Sequence, residues 1–167
     1  MEDAVNRPST LRVFWLWLGF ILALDQATKS LAIVYLKPLH SFRVIPGLFN
    51  LCYVENRGAA WGVLAGNQVF LIAFTLATMV FLFWKRTVLF GALRCGSVIF
   101  TLLMAGILGN LADRIRLGYV VDFLDFYWNQ SHFPAFNVAD SAICVATFLL
   151  LFFQWVHDRQ ASPLKAH

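Results

Sequence analysis

Four apolar runs dominate the chain, at about 13–36, 65–84, 95–115 and 136–156, and each approaches the roughly 20 residues that a helix needs to cross a bilayer. Between the first two, from Lys37 to Gly66, the pattern changes. Pro38, Pro46, Gly47, Gly58, Gly62 and Gly66 punctuate short β-prone pieces such as FRVI and LFNLCYV. The pattern predicts an all-α membrane protein: four transmembrane helices, a small outward-facing β cradle in a loop at about 37–64, and a second outward loop at about 116–135 that carries VVDFLDF. Four spans leave no room for a separate soluble domain, so residues 1–167 are read as one integral membrane domain.

The first apolar run follows Arg7 and Arg12, as in a cleavable signal peptide, but no small-x-small site follows it and apolar character resumes at Leu31. It is expected to be a permanent span. The second run, interrupted only by Thr75 and Thr78, reads as scaffold and is expected to end at Trp84, with Lys85 to Arg94 as a short link. In the third, Gly96, Ala105, Gly106 and Gly109 form a small-residue face suited to close helix packing, though not a strict GxxxG.

Composition agrees: 60% of residues are hydrophobic and 13% charged, too apolar for an ordinary soluble domain. The net charge of +4 is not gathered into a basic stripe with exposed aromatics, which argues against nucleic acid. The basic residues report orientation instead. Arg7, Arg12, Lys85, Arg86, Arg94, Arg159 and Lys165 flank one side of the spans, and the positive-inside rule then places both termini in the cytoplasm and both long loops outside. Six of the nine acidic residues, Asp25, Glu55, Asp113, Asp122, Asp125 and Asp140, fall at or near that outer side. Cys52, Cys95 and Cys144 lack CxxC spacing, so neither a disulfide framework nor a zinc site is indicated, and the four histidines lack HExxH spacing, which argues against a metalloprotease.

The candidate chemistry lies between Gly109 and Ser141, where GNLADRIRLG, YVVDFLDF and FPAFNVADS place ionisable groups in apolar surroundings. Such groups cost about 2.5–3.5 kcal/mol each at mid-membrane, so they need a reason to be there. Asp122 and Asp140, from two different elements, are read as a carboxylate pair for acid/base work. Asn137 and Asp140 stand three apart at the start of the fourth helix, whose N-terminus favours an ionised Asp140, whereas apolar flanks raise the pKa of Asp122. Opposite pushes on two nearby acids separate acid from base, without fixing which carries the proton. Asn110, Asp113 and Arg114 share a helical face; Arg114 suits carboxylates or carbonyls, and Asp113 reads first as an ion-paired helix end. Asp25 and Lys29, four apart, pair on one face, either reaching to the interface or supporting the site. Asn56 and Gly58 suit a tight turn, and Ala59–Ala60 suits close backbone approach. Asp125 is expected to face water.

Taken in order, Asp25-Gln26 with Lys29, Asn56-Arg57-Gly58-Ala59-Ala60, Gly109-Asn110-Leu111-Ala112-Asp113-Arg114, Val121-Asp122-Phe123 and Phe136-Asn137-Val138-Ala139-Asp140 resemble the bacterial lipoprotein signal peptidase family, signal peptidase II, along nearly the whole chain. Trp61, where Phe is usual, and Ala105, in place of a Gly, are mild departures. The resemblance implies an intramembrane aspartyl endopeptidase that cuts diacylglyceryl-modified prolipoproteins just before the lipidated cysteine. It implies Asp122 and Asp140 as the catalytic dyad, with Asp25, Lys29, Asn56, Gly58, Asn110, Asp113, Arg114 and Asn137 supporting the site or contacting substrate and inhibitor. It further implies inhibition by globomycin-type peptides, membrane lipid as surroundings, the bacterial cytoplasmic (inner) membrane as location, and a monomer without cofactor. A competing reading is a small proton-linked transporter or a membrane assembly factor. Transport calls for ionisable groups spread through the membrane depth and usually for repeats. Here the groups cluster at one level, and residues 1–84 and 85–167 show no evident self-similarity.

Overall fold

A computed structural model describes residues 7–58, 64, 66–93 and 95–161. Ala59–Ala60 lies outside the described residues. Helix α1 (Arg7–Leu31) continues into a π-helical turn, Ala32–Leu36, and is followed by strands β1 (Ser41–Ile45) and β2 (Phe49–Asn56). Next come α2 (Gln68–Phe90), α3 (Gly96–Leu117), β3 (Val120–Trp128), the two-residue β4 (Ser131–His132) and α4 (Val138–Ala161). All four helices are long and apolar enough to cross a membrane.

The bundle is built on α3, which buries twelve residues where α2 buries only Leu71 and Phe90. Ile99, Phe100, Leu103, Met104 and Ala105 of α3 pack with Leu18, Phe90 and Ala146 from the other helices. The outward faces carry exposed Trp15, Leu16, Phe74, Trp84, Phe148 and Leu151, the composition of lipid-facing surface. The small-residue face of α3 is where the other helices come close. A methyl at Gly106 would overlap the Ala139 carbonyl, and one at Gly109 would stand 2.5 Å from Asp25 Oδ2.

The four strands form one antiparallel sheet in the order β1-β2-β3-β4. FRVI and LFNLCYV are strands as expected, but VVDFLDF is a strand too rather than a loop. Its β-branched and aromatic residues suit a pleated surface, and the partner that stabilises it, β2, is remote in sequence. The π-turn buries Ala32 and Leu36 against Val121 and Phe123, seating the sheet on the end of α1. A register shift between Leu51 and Val54 places Asp122 opposite Val54 and Val120 opposite Asn56.

Two boundaries differ from the sequence reading. Helix α2 runs to Phe90, because Lys85 and Arg86 lie over the rings of Trp84 and Phe83 instead of ending the span. Helix α3 runs to Leu117, ended by Gly118 in the left-handed conformation at φ 79° with its N–H on the Arg114 carbonyl.

Gly109→Ala should lower stability by about 1–3 kcal/mol, since its methyl meets a buried carboxylate. Gly19→Ala, with nothing within 4 Å of the added methyl, should leave the protein unchanged or slightly more stable. Thermal unfolding followed by tryptophan fluorescence in detergent separates the two.

Candidate active site

The site begins with Lys29. The four-residue spacing from Asp25 does form an ion pair, but buried within the bundle and not at an interface: Asp25, Lys29 and Asp113 are each at most 2% exposed. Lys29 Nζ lies 2.9 Å from Asp25 Oδ2 and 3.0 Å from Asp113 Oδ2, and donates to Asn110 Oδ1 at 2.9 Å. Two carboxylates against one ammonium leave an excess negative charge, which N–H donors absorb. Ala139 at the start of α4 donates to Asp25 Oδ1 (2.9 Å), and Val121 of β3 donates to Asp113 Oδ2 (3.2 Å). Gln26 Nε2 reaches Asp25, Asp113 and the Gly109 carbonyl at 3.0–3.2 Å, while its Oε1 accepts from Arg116 at 2.8 Å. Asp113 is thus the ion-paired residue its position suggested, with its partner on α1.

Because the ammonium takes the Asn110 carbonyl, the amino group of Asn110 faces away and donates to Asp140 Oδ1 at 2.7 Å. Asp140 sits three residues after Asn137, and the two form a reciprocal cap of α4. The Asp140 N–H donates to Asn137 Oδ1 (2.9 Å) and the Asn137 N–H to Asp140 Oδ2 (3.3 Å). The remaining end of Asn137, Nδ2, donates to Asp122 Oδ1 at 2.7 Å. Asn137 therefore touches both carboxylates, one through its backbone and one through its side chain.

Asp122 receives a second donor, Asn56 Nδ2, on Oδ2 at 2.9 Å. The expected turn is present: Gly58 N–H donates to Asn56 Oδ1 at 3.0 Å. Arg114 Nη2 holds the Gly58 carbonyl at 3.0 Å, so of carboxylate and carbonyl its direct partner is the carbonyl. Burial pushes the Asp122 carboxyl up to about 7, aided by the charge of Asp140 and opposed by the donors Asn56 and Asn137.

All ten singled-out residues, Asp25, Lys29, Asn56, Gly58, Asn110, Asp113, Arg114, Asp122, Asn137 and Asp140, meet in this one connected region. Asp125 does not face water. It is buried on β3, accepting from Asn50 Nδ2 at 3.1 Å and lying 2.8 Å from His132 Nδ1, because the β3–β4 hairpin folds His132 over it. Gln26, quoted in the sequence pattern without a role, is the member that residue reading missed; its adjacency to Asp25 was the only signal. Among the described residues no group of three His, Cys, Asp or Glu converges to hold a metal.

A family model described as signal peptidase (SPase) II matches residues 17–156. The lipoprotein signal peptidase of Syntrophotalea carbinolica is 44% identical over 147 residues, covering 86% of this chain and 91% of that protein. That of Shewanella pealeana is 41% identical over 167 residues, covering 95% and 96%. A solved structure described as a bacterial membrane enzyme, determined by the in meso method at 2.3 Å resolution, is similar with a TM-score of 0.72 and 33% identity over 93% of this chain and 94% of that one. A second so described, at 1.9 Å, gives 0.67 and 32% over the same shares.

Lys29→Met should strip the ammonium from two buried carboxylates and cost about 3–5 kcal/mol. The loss should shrink when Asp113→Asn is combined with it, a non-additivity measurable by thermal unfolding of the two single variants and the double.

Proposed function

The chain belongs to the signal peptidase II family, and on that premise we propose that it is an intramembrane aspartyl endopeptidase. Its substrates are prolipoproteins whose cysteine carries diacylglyceryl, and it cuts just before that cysteine. The observation that carries the reading is the bridging of Asp122 and Asp140 by the single residue Asn137, in a buried site at the sheet end of the bundle. Two carboxylates so close are hard to ionise together, and a pair sharing one proton suits general acid–base hydrolysis.

Asp140 is the base. It sits at the N-terminus of α4 and accepts the Asn110 amino group and the Asn137 N–H, all of which favour its negative charge. Asp122, with its carboxyl near 7, is the acid. A water placed between them gives a proton to Asp140 as it attacks the scissile carbonyl, while Asp122 donates to the developing oxyanion; as the C–N bond breaks, the proton on Asp140 passes to the leaving amine and Asp122 takes one back from the gem-diol. Neither a metal nor a covalent intermediate enters these steps.

The substrate's acyl chains lie along the apolar helix faces in the bilayer, with both termini of the enzyme cytoplasmic and the site towards the outer face of the bacterial inner membrane. Globomycin-type cyclic peptides compete for the same site. A proton-linked transporter is less well supported, because the buried ionisable groups lie at one end of the bundle instead of along its depth.

Cleavage of a diacylglyceryl-modified prolipoprotein by purified protein tests the reading. Asp122→Asn and Asp140→Asn should each lose at least about a thousandfold in kcat. Alanine variants belong alongside, since either orientation of an Asn amide at 122 turns an NH2 towards a donor of Asn56 or Asn137. A folded variant with near-normal activity would make that Asp structural, and a folded wild type that fails to cut would favour transport or assembly.

The pH profile follows from the same assignment. The acid must hold its proton, so kcat/KM should fall above pH of about 7, tenfold per unit, and it should fall again at acid pH as the base is protonated. The two limbs belong to the pair as a unit. A profile flat from pH 6 to 9 would contradict it.

A further inference from the structure

The segment that follows β2 starts from a stem whose two successive carbonyls are each held by a membrane helix. The Arg57 carbonyl accepts from Gln68 Nε2 at 2.6 Å and from the Gly66 N–H at 3.3 Å. The next carbonyl, of Gly58, is held by Arg114 of α3. Gln68 is the first residue of α2, just after the capping Asn67. On the other side of this stem, Asn56 spends both ends of its amide: Oδ1 takes the Gly58 N–H and Nδ2 goes to Asp122. The direction of the Asn56 donor is therefore set by the backbone of residues 57 and 58.

Gln68 keeps its bond at a disadvantage. Its Oε1 is buried and has no partner among the described residues, an unfavourable state for an acceptor. An amide held this way is held for its donor. We propose that Gln68 is a positioning residue for the reaction: by fixing the Arg57 carbonyl it fixes the Asn56–Gly58 turn and keeps the Asn56 donor on Asp122. This rests on the reading of Asp122 and Asp140 as the dyad. It also ties α2 to the site.

The charged and titratable groups facing Asp122 are Asp140 on α4, Lys29 on α1, Arg114 on α3 and Cys52 on β2. None is altered by a substitution at Gln68. A shift in the Asp122 titration would then report the Asn56 contact.

The variants are Gln68→Met, which keeps length and helix propensity without the donor; Gln68→Lys, which supplies a donor without an idle acceptor; and Gln68→Met combined with Asn56→Ala. Gln68→Ala replaces Gln68→Met should the latter fail to fold. Each is read by the pH profile of cleavage and by infrared titration of the Asp122 carboxyl, identified as the band lost in Asp122→Asn. A loosened donor supports ionised Asp122 less, so Gln68→Met should raise the Asp122 midpoint by about 0.5 to 1 pH unit. It should lower kcat about three- to tenfold with KM within about twofold, and Gln68→Lys should restore both. Without Asn56, Gln68→Met should add nothing. A folded Gln68→Met whose midpoint stays at the wild-type value, or whose effect persists undiminished without Asn56, overturns the proposal, because a merely structural Gln68 would lower thermal stability and leave the carboxyl alone. The infrared midpoint needs no turnover, so a wild type that does not cleave counts against the protease reading while the midpoint still decides this one.

Discussion

One buried ammonium organises the polar interior of this bundle. Lys29 could not remain charged among apolar helices without partners, and its partners come from α1 and α3: Asp25, Asp113 and the Asn110 carbonyl. Those carboxylates in turn bind the Ala139 N–H of α4 and the Val121 N–H of β3. A single charge thus fixes three helices and a strand relative to one another. Gly109 is the packing side of the same constraint, since any side chain there would occupy the space of the Asp25 carboxylate.

The cluster sets the direction of one of the three amides around the two site carboxylates, and the backbone sets the other two. Asn110, Asn137 and Asn56 each have the side-chain oxygen engaged by a committed donor: the Lys29 ammonium, the Asp140 N–H and the Gly58 N–H. Each is left with its amino group facing a carboxylate. An amide that can turn either way offers a carboxylate no fixed field. Here the backbone cap, the turn and the ammonium each remove that freedom, so the donors are oriented before any substrate arrives.

The gathering of the ten site residues was implied by the family resemblance, whereas the four spans, the small-residue face of α3 and the two strands of the first loop were legible in the sequence itself. Their signals are local: run length, glycine spacing, i to i+4 pairs and the Asn137-to-Asp140 cap. What escaped depends on partners distant in sequence. Residues 120–128 read as loop because strand pairing with β2 is invisible from within a short apolar run. Asp125 reads as facing water because nothing nearby in sequence announces Asn50 across the sheet. Lys85 reads as the end of a helix that continues to Phe90, a case where flanking aromatics let a cation lie along the helix. The burial of Asp25 and Lys29 was an open alternative, settled by Asp113 arriving from α3.

The proposed acid and base have the same side chain, so what distinguishes them must be their elements. Asp140 is the third residue of a 24-residue helix, where the helix dipole, the Asn110 amino group and the Asn137 N–H favour negative charge. Asp122 lies on a strand, which has no comparable dipole, between Val121 and Phe123, both buried. Its two amide donors soften the cost of ionisation without removing it, and the neighbouring charge of Asp140 adds to that cost. The proposed division of roles is therefore a consequence of joining a helix start to a strand at one place. The Lys29 cluster makes that junction, because Asp25 holds the first turn of α4 and Asp113 holds the start of β3.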